Sequence, residues 1–163
     1  MEQVEEALRI LYTTSDAQQR QGADAFLREF QSSYAAWDGA VRLIQAGTGD
    51  SRMFGATVLC TKLRGDNCGG LPAQAGAALR TILLQQLGSL GDSTASGLHA
   101  QLCRACSMLL GAGGMGSLLA DPAFASLPVG SILGVLALIP EAGAFLSDTE
   151  TDAMQQLLLA WLQ

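Results

Sequence analysis

The chain has 163 residues, which is enough for one domain with a sizeable core. Hydrophobic residues make up 49% of the sequence, aromatic residues 6% and charged residues 15%, so the core must be mainly aliphatic and the surface poor in charge. The net charge of −6 and the lack of any Lys or Arg cluster argue against nucleic-acid binding and favour basic protein partners.

The first third of the chain has the periodicity of amphipathic helices. Ser15, followed by Gln18 three residues later, forms a capping-box pattern that predicts the start of the second helix. A third helix is predicted after the break at residues 31–33, and MFGATVLCTKL predicts a fourth after the break at residues 47–50. The apolar positions of the first three helices recur every three or four residues: Val4, Ala7, Leu8 and Leu11; Ala23, Phe26, Leu27 and Phe30; Trp37, Ala40, Val41 and Ile44.

The rest of the chain is also predicted to be helical. The loop GDNCGG precedes a fifth helix that is entered through Pro72, and a sixth helix follows the break GSLGDS. A further helix begins near Pro128, and Ser147 with Glu150 predicts the start of a last one. The apolar run LPVGSILGVLALIP has about fourteen residues, against about twenty for a membrane helix, which predicts no membrane insertion. The fifth and sixth helices carry apolar stripes at helical spacing: Ala75, Ala78, Leu79, Ile82 and Leu83; Leu98, Leu102, Ala105 and Leu109.

These predicted helices alternate in pairs along the chain. The second members begin near residues 16, 51, 94 and 129, about 35 to 43 residues apart, close to the period of roughly 40 residues in HEAT and armadillo hairpin repeats. The first members begin near residues 3, 34, 73 and 149, with a weaker candidate near 115. The spacing predicts an all-α protein: an α-solenoid of about four HEAT-type antiparallel hairpins over residues 1–163, with an irregular helical bundle as the alternative.

A glycine-rich stretch spells the spacing of a dinucleotide-binding fingerprint, G-x-G-x-x-G, at Gly111, Gly113, Gly114 and Gly116. That fingerprint requires a strand before it and a helix after it, whereas LHAQLCRACSMLL before it has helical periodicity. Glu141 also lies slightly late for the ribose contact. The glycines are therefore interpreted as the end of a helix and a joint between hairpins, with a nucleotide-binding enzyme as a remote alternative.

Other chemistry could arise only around His99, Cys103 and Cys106, which share one face of the predicted sixth helix. A zinc ion would need a fourth ligand from a second short knuckle, and neither Cys60 nor Cys68 belongs to another Cys-x-x-Cys. A redox Cys-x-x-Cys would lie at a strand-to-helix junction rather than within a helix. The four cysteines are expected to be reduced thiols, and the sequence predicts no metal, no cofactor and no enzymatic activity.

Four stretches in order resemble the N-terminal region of nuclear transport receptors of the importin-β superfamily, particularly the transportin-SR and importin-thirteen branch. AFLREFQSSYAAWDGAVRLIQ contains the family's Gln-x-Ser-x-x-Ala-Trp-acid pattern, and FGATVLCTKLRG resembles its following helix with a Lys. LPAQAGAALRTILLQQL and LPVGSILGVLALIPEA resemble two later helices of the family. Two features differ from the family: the GDNCGG loop has no aromatic residue, and residues 111–127 are rich in glycine where a regular helix is expected.

The resemblance implies a segment of a longer HEAT-repeat receptor that shuttles between cytoplasm and nucleus. It would bind the small GTPase Ran in its GTP form, contribute to binding of basic protein cargo, and contact nuclear pore proteins. The apolar ending LLLAWLQ agrees with a missing next repeat. A helical-repeat interaction scaffold unrelated to transport is the main alternative.

The family's Ran contacts come mainly from the second helix of each hairpin. Carried over to this sequence, they would fall on the polar faces of the second and fourth helices, while Phe54 is expected to pack inside. The residues on these polar faces are Asp24, Arg28 and Gln31, and Thr61, Lys62 and Arg64.

Overall fold

A computed structural model describes residues 1–64, 73–91, 96–110 and 118–139, together with residues 151, 152, 155, 156 and 159. Within these residues the chain is helical and contains no strand, which confirms the all-α prediction. It divides into two compact units, Met1–Lys62 and Leu63–Gln163. The helices are α1 Glu2–Thr13, α2 Ala17–Ser32, α3 Ala36–Ala46, α4 Gly49–Arg64, α5 Ala73–Ser89, α6 Gly97–Leu110, α7 Pro122–Ala125 and α8 Val129–Leu138.

In the first unit, α1 and α2 pack along each other after a three-residue connection, which makes them an antiparallel hairpin. Their core contains Val4, Leu8 and Leu27, so the predicted stripe of α1 is buried as expected. Phe26 does not join the core as predicted, because 36% of its surface stays exposed beside the buried Leu27. The hairpin therefore buries small and branched aliphatic side chains and leaves one aromatic ring at its edge.

The cap of α2 differs from the sequence prediction. The carboxylate of Asp16, rather than the hydroxyl of Ser15, accepts hydrogen bonds from the backbone N–H groups of Gln18 and Gln19, at 2.8 and 3.2 Å. Both residues can cap a helix, and the carboxylate adds a favourable interaction with the helix dipole. The helix consequently starts at Ala17, close to the predicted position.

Helices α3 and α4 approach each other closely at Gly55. A Cβ atom on Gly55 would lie 2.8 Å from the backbone oxygen of Ala40 and 3.0 Å from Cβ of Leu43, so only glycine permits this distance. Phe54 lies beside it and stacks on Phe30, with ring centroids 6.3 Å apart. Phe54 is partly buried against the α1–α2 core, in line with its predicted packing role.

In the second unit, α6 packs against both α5 and α8, and α7 packs against α5. The buried stripe of α5 differs in part from the prediction: Ala75 and Ala78 are exposed, while the buried leucines continue to Leu84 and Leu87. The reason is that a methyl group gains little from burial, so the larger leucine side chains determine which face of the helix turns inward. On α6, the predicted Leu102 and Ala105 are buried as expected.

Several predictions fall outside the described residues. These are the glycine motif at residues 111–116, Pro72, Cys68, Glu141 and the capping pair Ser147 and Glu150. The helix predicted near Pro128 is present as α8. Among the described helices, none has the length and apolar character that a bilayer span requires.

Candidate partner-binding surface

The α2 part of the predicted surface lies beside the buried stripe of that helix. Arg28 and Asp24 form an ion pair at 2.9 Å, one helical turn apart, and Arg28 is largely exposed. Gln31 is half-buried near the end of the same helix. These three side chains lie on one flank of α2, where a partner could reach the guanidinium without disturbing the core.

On α4 the three predicted residues do not share one face, which corrects the sequence-based placement. Thr61 and Arg64 are exposed three residues apart, and the Thr61 hydroxyl donates to the backbone oxygen of Thr57 at 3.0 Å. Lys62 is half-buried, and its Nζ lies 5.7 Å from the ring centroid of Trp37 on α3. Because adjacent helical positions point in different directions, Lys62 contacts α3 rather than extending the Thr61–Arg64 surface.

The sequence did not predict the contact between Trp37 and Lys62, although the family resemblance rests on both residues. An ammonium group at this distance is attracted to the negative face of the indole, by about 0.5–1 kcal/mol at a partly exposed site. The contact links the start of α3 to the end of α4. It gives both residues a packing role in this hairpin, and no sequence signal other than their shared membership of the pattern could have paired them.

The exposed basic groups of the first unit mostly have acidic neighbours on their own helix. Arg42 pairs with Asp38 at 2.9 Å, and Arg9 pairs with Glu6. The hydrogen bond from Arg9 lowers the pKa of the Glu6 carboxyl, and both side chains are exposed. Arg64, at the end of α4 and already in the second unit, is exposed and forms no ion pair among the residues that the structure describes.

The second unit contains the group of titratable side chains that the sequence singled out. His99 and Cys103 on α6 are buried against Ser131 on α8, with 3.0 Å between His99 Nε2 and Ser131 Oγ. The Cys103 sulfur lies 3.7 Å from His99 Nε2 and 3.8 Å from the backbone oxygen of Ser131. Cys106 is also buried on α6.

This arrangement joins two helices and does not present a nucleophile to solvent. Burial raises the pKa of the Cys103 thiol to about 11, so the sulfur is protonated at neutral pH. Ser131 is fully buried, which keeps its hydroxyl from any dissolved substrate. Within the described ranges, no group of three or more His, Cys, Asp or Glu side chains has the geometry to hold a metal ion.

Comparison with known proteins adds no relative. Neither a protein-family model nor a curated protein matches this chain. The resemblance to nuclear transport receptors therefore rests on the sequence patterns alone.

Proposed function

We propose that this chain is a segment of an importin-β-type nuclear transport receptor, and that it binds Ran in its GTP form. The main support is that Trp37 and Lys62, two residues of the family-like patterns, lie on consecutive helices and contact each other. A pairing of this kind supports the idea that the patterns describe one hairpin rather than two unrelated stretches. The all-helical architecture and the short helix connections are consistent with the proposal.

The proposed architecture is an α-solenoid in which the described helices form successive HEAT-type hairpins. In such a solenoid each hairpin buries one face on its neighbours and leaves the other for partners. The chain would then contribute to a surface for basic cargo and contact nuclear pore proteins while shuttling between cytoplasm and nucleus. The acidic net charge of −6 suits cargo of opposite charge.

The residues proposed to contact Ran are Asp24, Arg28 and Gln31 on α2 and, as a separate set, Thr61 and Arg64 at the end of α4. Lys62 acts as a positioning residue, because its contact with Trp37 orients the end of α4 that carries Thr61 and Arg64. Arg28 offers the most exposed charge of the α2 set, and Arg64 carries a charge with no ion pair among the described residues. These two arginines are the expected anchors, since Arg is enriched among residues that dominate binding energy.

The test is binding of the 163-residue chain to Ran loaded with a non-hydrolysable GTP analogue or with GDP, measured by calorimetry. We expect binding to the GTP form only, and about tenfold weaker binding for Arg28→Glu, equivalent to about 1.4 kcal/mol. The matched control is Arg42→Glu on α3, since Arg42 is also largely exposed and forms the same kind of ion pair with an aspartate one turn away. Equal losses for the two variants would contradict the proposed surface.

A scaffold unrelated to transport is the second candidate, since packed helical hairpins can present a surface to many kinds of protein partner. It predicts that both nucleotide forms of Ran fail to bind while the chain remains folded by circular dichroism. The remote nucleotide-binding alternative predicts a rise in melting temperature with NADH, lost in a Gly113→Ala and Gly114→Ala double variant. The Ran measurement therefore separates the receptor from the unrelated scaffold, and the NADH measurement tests the nucleotide-binding alternative.

A further inference from the structure

The contact between α6 and α8 has a titratable group at its centre. The chain's single histidine, His99, is buried there, with its Nε2 at hydrogen-bond distance from the Ser131 hydroxyl. One turn further along α8, Gly134 brings the backbone so close that a Cβ there would lie 3.4 Å from His99 Cε1 and 3.0 Å from the Cys103 sulfur. The imidazole is thus enclosed by two helices, a hydroxyl and a thiol.

None of the helices packed around His99 supplies a carboxylate. Helix α8, VGSILGVLAL, has no ionisable side chain, and the ionisable side chain of α5 is Arg80. On α6 itself the ionisable neighbours are Cys103, Arg104 and Cys106. Asp121, which precedes α7, forms an ion pair with Arg80 at 3.8 Å and accepts a hydrogen bond from the Ala123 N–H.

Among the residues that the structure describes, an imidazolium at this position would therefore be a buried charge without an anion beside it. The Cys103 thiol is neutral, and the Ser131 hydroxyl can offer only a dipole. Burial of an uncompensated charge is costly, so the protein can relieve the cost either by releasing the proton or by opening the contact. Burial accordingly lowers the pKa of His99 below its ordinary value.

We propose that the α6–α8 contact opens on acidification, with His99 as the group whose protonation releases α8. The direction follows from linkage: the open state takes up a proton near pH 6.5, where the closed state does not. The contact is fully stable above pH 6.5 and weakens as the pH falls from 6.5 towards the pKa of the closed state. In that interval the ratio of open to closed molecules rises about tenfold per pH unit.

The test uses the cysteines of the full chain as reporters. Labelling by 4,4′-dithiodipyridine, which reacts with thiols in mild acid, is followed by mass spectrometry between pH 7.5 and 5.0. We expect the labelling rate of Cys103, divided at each pH by its rate in the urea-unfolded chain to cancel the falling thiolate fraction, to rise about tenfold per unit below pH 6.5, while the same ratio for Cys60 on α4 of the first unit shows no such rise. In His99→Gln, whose amide can still reach Ser131 but does not titrate, we expect the rise to disappear.

Ser131→Ala is the matched control, because it removes the hydroxyl and keeps the histidine, and the acid dependence should persist. A second measurement does not depend on any variant folding: the Cε1–H signal of the single histidine gives its titration midpoint by NMR. A midpoint at or above 6.5, or an unchanged rise of Cys103 labelling in a folded His99→Gln chain, would overturn the proposal.

Discussion

The unit Met1–Lys62 carries fourteen charged side chains, whereas the following 101 residues carry ten, and the two units pack their helices differently. In the first unit, aromatic contacts join neighbouring helices: Phe30 stacks on Phe54, and Lys62 lies over Trp37. In the second unit, α6 meets α8 through His99, Cys103 and Ser131. The first unit therefore keeps its charges at the surface, while the second encloses polar atoms within a helix contact.

This difference teaches where each unit is sensitive. Exposed ion pairs such as Asp24–Arg28 contribute little to stability, because water screens them. A buried polar group, in contrast, destabilises the fold when its hydrogen-bond partner is removed, because the cost of its desolvation is then no longer offset. Changes of surface charge should thus leave the stability of the first unit nearly unchanged, and changes of pH or of packing should alter the stability of the second.

The largest effect is expected from a cavity in the second unit. Leu102→Ala removes a fully buried side chain of α6 and should lower the free energy of unfolding by about 2–5 kcal/mol. Urea unfolding followed by circular dichroism measures this loss. The control is Leu133→Ala on α8, where the leucine is nearly half exposed and the cost should stay below about 1 kcal/mol. Similar losses for both variants would show that α6 does not form the centre of this unit.

An intermediate effect is expected from Gly55→Ala in the first unit. The new methyl group would press on the backbone oxygen of Ala40, and overpacking of this kind costs about 1–3 kcal/mol even though alanine favours the helix. Gly22→Ala on α2 is the control, because nothing lies within 4 Å of its Cβ position. The free energy of unfolding of that variant, measured by thermal unfolding, should rise by about 0.5–1 kcal/mol. Stabilisation by both alanines would contradict the close approach of α3 and α4.

The smallest effect is expected at the cap of α2. Asp16→Ala removes the carboxylate that accepts hydrogen bonds from two backbone N–H groups. The free energy of unfolding should fall by about 1 kcal/mol, which is measured by urea unfolding. Ser15→Ala should change the free energy of unfolding by less than about 0.5 kcal/mol, because the cap is formed by Asp16 and not by Ser15. A larger loss for Ser15→Ala than for Asp16→Ala would indicate that Ser15 caps the helix, as the sequence predicted.

The sequence predicted the helices well because the first unit follows regular apolar spacing, as at Val4, Ala7 and Leu8. It was less successful where small and large apolar residues alternate, since Ala78 on α5 is exposed and Leu84 is buried. The exposure of the α4 side chains was predicted only in part, because burial extends around most of α4 and separates the half-buried Lys62 from the exposed Thr61. Which of these side chains is buried depends on the neighbouring helix, and this cannot be inferred from the residue spacing within one helix.

The burial of Ser131 and the hydrogen-bond distance to His99 were beyond prediction for a related reason. Ser131 lies within a nearly continuous apolar run, and 32 residues separate it from His99. Only the packing of α6 on α8 brings them together. The sequence indicated that His99 shares a face with Cys103, and the structure supplies the hydroxyl that meets them.

The three-residue connection between α1 and α2 has a consequence for how the chain folds during synthesis. Contacts between residues close in sequence form quickly, and N-terminal segments leave the ribosome first. The α1–α2 hairpin, capped by its own Asp16, needs no later residue for its mutual contacts. A nascent chain should therefore hold this hairpin while the partners of His99 are still being translated, and the second unit must be the later step in its biogenesis.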